Sequence, residues 1–240
     1  MLELLPDDFF LVAYPKSGST WVRFLVCNYL TNGRCDFLNI FDIIPDLHMS
    51  TKFPLKCSKP RILKSHFPYQ PEYRNVIYLV RDGRDIAVSY YFHYIKQKKI
   101  DKNTSFPKFL DIFNSGSLPF GLWNTHIISW LTQKPEHFLI IKYEDILINP
   151  EEQLVKILKH IGLKIIPKRI KIAIDASSFD KMYRLECKQH DLISTLSDSE
   201  PDIPFVRKGI FGDYLNYFDK NMEAEFIKIH FEALKHLDYI

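Results

Sequence analysis

The feature that most constrains this chain lies near its N-terminus. Phe9-Phe-Leu-Val-Ala-Tyr14 is an unbroken apolar run, followed by Pro15-Lys-Ser-Gly-Ser-Thr20 and then by Trp21, Phe24, Leu25 and Tyr29 at spacings near 3.6. A short run without polar alternation suits a strand covered on both faces of a parallel sheet. The later spacing predicts a loop turning into a helix over residues 17–30. Strand, polar loop, helix is the opening unit of an α/β fold, and it recurs. Strand candidates at 61–65, 76–80 and 138–143 each lead through polar or Gly-containing residues into a helical pattern, the third unit continuing as a helix over 85–94. Pro150-Glu-Glu152 opens a further helix with Leu154, Ile157, Leu158 and Ile161 on one face, and Gly162 closes it. Residues 100–118 and 189–205 turn to Ser, Asp, Pro and Lys and read as long mobile loops of the kind that act as lids. With no repeat and no linker, the expectation is one domain over residues 1–240: a central parallel sheet flanked by helices, with a P-loop-like site at the strand C-terminal ends.

Composition removes several classes. A chain of 240 residues, 46% hydrophobic, can bury a substantial core, which excludes a disordered tail. Thirty-two basic against 29 acidic residues leave a net charge of +3, too balanced for a nucleic-acid binder, so any anion site must be local. No apolar run approaches the roughly 18 residues of a membrane helix. The N-terminus lacks a basic leader with an apolar stretch behind it, and a cytoplasmic address is expected. Cys27, Cys35, Cys57 and Cys187 show no metal-ligand spacing and are expected as buried free thiols.

The loop at 14–21 sits where backbone N–H groups and a helix dipole converge, a place that suits a phosphate. Lys16 supplies a point charge, Ser17, Ser19 and Thr20 supply hydroxyls, and Gly18 permits close approach. By composition alone an ordinary strand-to-helix turn fits equally well. The pattern is not G-x-x-x-x-G-K-S/T, because the lysine precedes the only glycine, and a nucleotide kinase is disfavoured on spacing.

Pro15-Lys-Ser-Gly-Ser-Thr-Trp21 closely resembles the 5′-phosphosulfate loop of the cytosolic sulfotransferases, which use 3′-phosphoadenosine 5′-phosphosulfate (PAPS). Two further blocks follow in the family's order. Asn75-Val-Ile-Tyr-Leu-Val-Arg-Asp-Gly-Arg-Asp-Ile-Ala-Val-Ser89 is similar to its 3′-phosphate segment. There Arg81 and Ser89 offer a guanidinium fork and a hydroxyl to a phosphate monoester. Taken alone, Arg81 would as readily pair with Asp82 or Asp85, and Arg84 receives no site role. Arg207-Lys-Gly-Ile-Phe-Gly-Asp213 resembles the C-terminal Arg-Lys-Gly-x-x-Gly-Asp signature, which implies that Arg207, Lys208 and the Gly209 N–H close over the same phosphate.

Lys64-Ser-His66 matches the family's Lys-Thr/Ser-His segment. The resemblance makes His66 the base that takes a proton from the acceptor, and sets Lys64 and Lys16 about the transferring group. It also implies that Trp21 and Phe179 sandwich the adenine, with Tyr143 and Ser177 nearby. The expected reaction is metal-free sulfuryl transfer from PAPS to a hydroxyl or amine of a small molecule, with no nucleic-acid or membrane partner. A P-loop kinase and a catalytically silent nucleotide-binding scaffold are the alternatives. Tyr90, Tyr91, Phe92, His93, Tyr94, Phe120 and Trp123 are candidates for the acceptor pocket or for a buried helix face. The chain departs from the family by lacking the Lys-x-x-x-Thr-Val-x-x-x-Glu dimer segment after Asp213, which leaves the oligomeric state open. The acceptor is not legible, although an Ile-, Lys- and Asn-rich composition fits a bacterial tailoring enzyme for a specialised metabolite.

Overall fold

The computed structural model describes residues 3–49, 59–193 and 197–240. Cys57 lies outside them. In chain order the elements are β1 (Phe9–Ala13), α1 (Ser19–Thr31), α2 (Ile40–Ile43), β2 (Ile62–Ser65), β3 (Asn75–Val80), α3 (Gly83–Lys96), α4 (Phe106–Asn114), α5 (Trp123–Gln133), β4 (His137–Lys142), α6 (Tyr143–Ile148), α7 (Pro150–His160), α8 (Pro167–Ala176), α9 (Phe179–Gln189) and α10 (Lys220–His236). The four strands form one parallel sheet in the order β2-β1-β3-β4. The expected α/β architecture is therefore observed, with strand bounds shifted by one residue at most.

Alternation along β1 and β3 builds two cores. Leu11 and Ala13 pair with Ile77 and Leu79 and face a layer that includes Val22, Leu25, Leu154, Ile157 and Ile170. Phe10 and Val12 pair with Val76 and Tyr78 and face Phe109, Phe113, Trp123, Trp130 and Phe226. Both faces of the sheet are covered, which is why β1 carries no polar residue.

Strand order reverses about β1: the chain runs from β1 out to β2 on one side and then back to β3 on the other. Crevices of this kind, beyond the carboxyl ends of the strands, are where open α/β sheets take ligands. The connections leaving β1, β2 and β3 there carry Lys16, His66 and Arg81.

Two expectations are corrected. Residues 106–114, placed within a loop, form α4, because Phe106, Phe109, Leu110 and Phe113 recur at helical spacing and are all buried; their stripe is obscured by the polar residues around it. Cys27 and Cys35 are buried thiols, but Cys187 is exposed on α9.

Candidate active site

Beyond these strand ends lies a cleft of about 390 Å³. Its floor is the loop between β1 and α1. Lys16 adopts φ 72°, a left-handed conformation that costs a lysine about 1–2 kcal/mol, and its carbonyl accepts a hydrogen bond from Arg81 Nη1 at 3.3 Å. Gly18, at φ 96°, caps α1, and a Cβ there would stand 2.5 Å from Cδ2 of Tyr143. Glycine is required both by the backbone and by the ring above it. No side chain caps α1, so its first N–H groups and dipole are available to an anion beside Ser19 and Thr20.

The Lys16 ammonium lies over the Phe205 ring, 4.7 Å from its centroid, and no carboxylate among the described residues is within ion-pair distance. Burial, then Arg81 and Arg207, pull its pKa down to about 7. A half-buried cation held among other cations is a site prepared for negative charge.

Arg81 leaves β3 nearly buried. Nη2 donates to the Ile210 carbonyl at 3.0 Å and lies 3.7 Å from Asp85, the guanidinium covers the Tyr143 ring at 4.3 Å, and Nε has no partner among the described residues. The pairing with Asp85 considered for this arginine thus exists, as a buried contact in the cleft wall. Arg84 instead bonds Asp82, Glu223 and the Tyr239 carbonyl, a structural role. Ser89 lines the cleft two turns along α3. Arg207, Lys208 and Gly209 line it too. Arg207 and Lys208 each sit 2.7 Å from the buried Asp213 carboxylate, which they hold below the usual carboxylate range. Asp213 therefore fixes two cations beside the cleft while offsetting part of their charge.

Trp21, Tyr143 and Phe179 line the same cleft, with Trp21 and Tyr143 packed edge to face at 5.7 Å. Two expected ligands lie elsewhere. Ser17 is fully buried and its hydroxyl donates to the Tyr14 carbonyl at 2.8 Å. Ser177 is also fully buried; its carbonyl accepts the Trp21 indole N–H at 2.9 Å and its hydroxyl accepts from Asn28 at 3.0 Å. It orients Trp21 instead of facing the cleft. Of the acceptor-pocket candidates, His93 lines the cleft, whereas Trp123 is fully buried against Gly83.

Lys64 and His66 line the same cleft. The His66 Nδ1–H donates to the Ala13 carbonyl at 2.5 Å, so the neutral ring keeps its lone pair on Nε2. Burial and the neighbouring Lys64 hold its pKa well below the ordinary value, which keeps the ring in the proton-accepting form. Lys64 is buried against Asp46, Nζ to Oδ2 2.8 Å, and burial lowers its pKa to about 8. Asp46 and His48 were not legible as site residues: they come from a connection 18 residues earlier, and the signal for them is the parallel bridge that lays Asp46 beside Lys64.

This architecture, a parallel α/β sheet with a glycine-capped loop after β1 and a cleft lined by Lys16, Arg81, Arg207 and Lys208 beyond the strand ends, defines a P-loop-like fold. Comparison with known proteins narrows the class. Residues 6–238 match the family model described as the sulfotransferase domain. Sulfotransferase 1E1 of Bos taurus is 32% identical over 96% of this chain and 84% of its own length, and Sulfotransferase 1 family member D1 of Mus musculus is 31% identical over 94% and 84%. A solved structure of mouse sulfotransferase SULT7A1 complexed with PAP superposes with a TM-score of 0.74 at 25% identity, covering 99% of this chain and 87% of that one. Retinol dehydratase in complex with androsterone and PAP shares the fold, with a TM-score of 0.79 at 22% identity over 97% and 82%. The chain belongs to the sulfotransferase family. Its reading as an enzyme of that family is borne out, and the kinase alternative falls.

Proposed function

We propose that this protein transfers the sulfuryl group of PAPS to a hydroxyl or amine of a small-molecule acceptor, in the cytoplasm, with His66 as the base. The observation that carries the reading is the shared cleft. It joins a Lys16 with no carboxylate partner among the described residues, beside a helix N-terminus, to Arg81, Arg207 and a histidine whose lone pair sits on Nε2. The PAP bound in the mouse SULT7A1 structure supports the donor, and the androsterone in the retinol dehydratase complex supports a small organic acceptor.

The residues present fit the donor. Arg81 keeps one buried Nε without a partner among the described residues, and Gly18 leaves no room for a side chain under Tyr143. The α1 N–H groups with Ser19 and Thr20 would hold the 5′-phosphate side. Arg81, Ser89, Arg207, Lys208 and Gly209 would hold the 3′-phosphate, and Trp21 and Phe179 the adenine. His66 Nε2 takes the acceptor proton as the acceptor oxygen or nitrogen bonds to sulfur. Lys16 meets the charge that grows on the departing phosphate oxygen, and Lys64 stands by the sulfuryl oxygens.

Incubation with radiolabelled PAPS and a panel of alcohols, phenols and amines tests the proposal. Labelled product from any acceptor, lost in His66→Ala, is the expected result. Failure of PAPS to bind would overturn the donor assignment. Binding without turnover across the panel would favour the silent scaffold.

A further inference from the structure

The catalytic histidine of the proposed reaction is held by more than its own ring. Its backbone N–H donates to Nε2 of His48 at 2.7 Å, and its carbonyl accepts from Nε2 of His126 at 3.0 Å. His126 is fixed in turn by the Tyr78 hydroxyl at its Nδ1, 2.9 Å away. The His48 and His66 rings stack at 5.6 Å between centroids, and Phe120 packs on both.

The segment bearing His48 runs beside the end of β2. Lys64 N–H donates to the Pro45 carbonyl at 2.8 Å, and Leu47 N–H to the Lys64 carbonyl at 3.0 Å. Asp46 Oδ2 holds the Lys64 ammonium, while Oδ1 accepts the His48 N–H at 3.0 Å. One short stretch therefore grips Lys64 at main chain and side chain, then reaches two residues on to grip His66.

We propose that His48 is a positioning residue for His66, its imidazole serving as the main-chain acceptor that fixes where the His66 ring meets the acceptor substrate. This inference rests on the sulfotransferase reading above and assigns His48 no contact with either substrate. The role requires a neutral imidazole with its lone pair on Nε2. Burial and Lys64 lower the His48 pKa to about 4, which maintains that form. Without that acceptor the His66 N–H would lose its partner at the point where the chain leaves β2, and the ring would be free to shift. Misplacement of a reacting group by about 1 Å can cost on the order of a hundredfold in rate.

Four proteins decide the matter: wild type, His48→Gln, His48→Leu and His66→Ala. Glutamine sets an amide oxygen near the position of Nε2, whereas leucine fills the space and accepts nothing. Expected for His48→Leu is a fall in kcat of about ten- to a hundredfold, with the Kd for 3′,5′-ADP unchanged within about twofold; His48→Gln returns kcat to within about threefold of wild type. If His48→Leu does not fold, as judged by its 3′,5′-ADP titration, His48→Asn, whose amide is too short to reach, takes its place. The proposal is overturned if the leucine or asparagine variant keeps wild-type kcat, if glutamine is as poor as leucine, or if the loss lies wholly in substrate KM. Wild-type turnover in His66→Ala would instead refute the base assignment. An inactive His66→Ala beside a fully active His48→Leu would refute the positioning role alone.

Discussion

Replacing Lys16 with methionine should make the unliganded protein more stable while weakening its hold on nucleotide. An unfolded chain carries Lys16 near its ordinary pKa of 10.5, and the folded chain lowers this to about 7 through burial and the adjacent Arg81 and Arg207. Below pH 7 the full cost of the charged lysine is present. Between 7 and 10.5 the unfolded state binds more protons than the folded one, so wild-type stability rises with pH across that window. Unscreened, a depression of this size would cost several kcal/mol; allowing for solvent in the cleft, it is on the order of 2 kcal/mol. Methionine keeps the length of the chain over Phe205 and removes that cost. For a protein of this size the melting temperature should rise by about 4–8 °C at pH 7, and the gap should narrow by pH 9.5. Saturating 3′,5′-ADP should raise the melting temperature of wild type more than that of the variant, because only wild type gains a partner for the charge. Scanning calorimetry at both pH values, with and without nucleotide, reads all of this. A variant less stable than wild type at pH 7, or a gap constant with pH, would show that the unliganded fold already neutralises Lys16.

Other outcomes follow from the same site. His66→Ala should lose about 10²- to 10⁴-fold in kcat with 3′,5′-ADP affinity intact, measured by single-turnover kinetics and calorimetry. The protein should prefer 3′,5′-ADP to 5′-AMP by at least about 10²-fold, and replacing Arg81 and Arg207 together should erase that preference in titrations of both nucleotides. Gly18→Ala forces a side chain into Tyr143 at a left-handed backbone position and should weaken 3′,5′-ADP binding at least about tenfold, as equilibrium dialysis would register. Trp123→Ala, at a fully buried residue that does not line the cleft, should cost about 3–5 kcal/mol in urea unfolding.

Local patterns carried the strands, the loop at 14–21 and the long helices, because periodicity and turn residues act over a few positions. The expectation that Arg81 is a site residue came from three blocks standing in order, and that for His66 from the Lys64-Ser-His66 segment between them. Geometry between blocks was not legible. Nothing local to Ser177 says that it turns toward Asn28 and Trp21 instead of the cleft, since those partners are 149 and 156 residues away. Nothing near Arg207 and Lys208 separates an Asp213 that shares their charge from one that faces water. Residues 106–114 failed for a different reason: a sound apolar stripe lay inside a stretch whose average composition is polar.

Arg81 donates to the carbonyls of Lys16 and Ile210, and so reads main chain in both segments instead of side chains. A tie of that kind is indifferent to which amino acids occupy positions 16 and 210. For protein engineering this makes the C-terminal basic segment exchangeable: a graft from another member would re-form its link to the sheet through the same guanidinium, provided its backbone follows the same path. Diversification of that segment can proceed without rebuilding this tie, which Glu186 and Asp85 supplement by accepting the N–H groups of Phe205, Val206, Gly212 and Tyr214, whereas lysine in place of Arg81 would lose the fork that spans the two carbonyls.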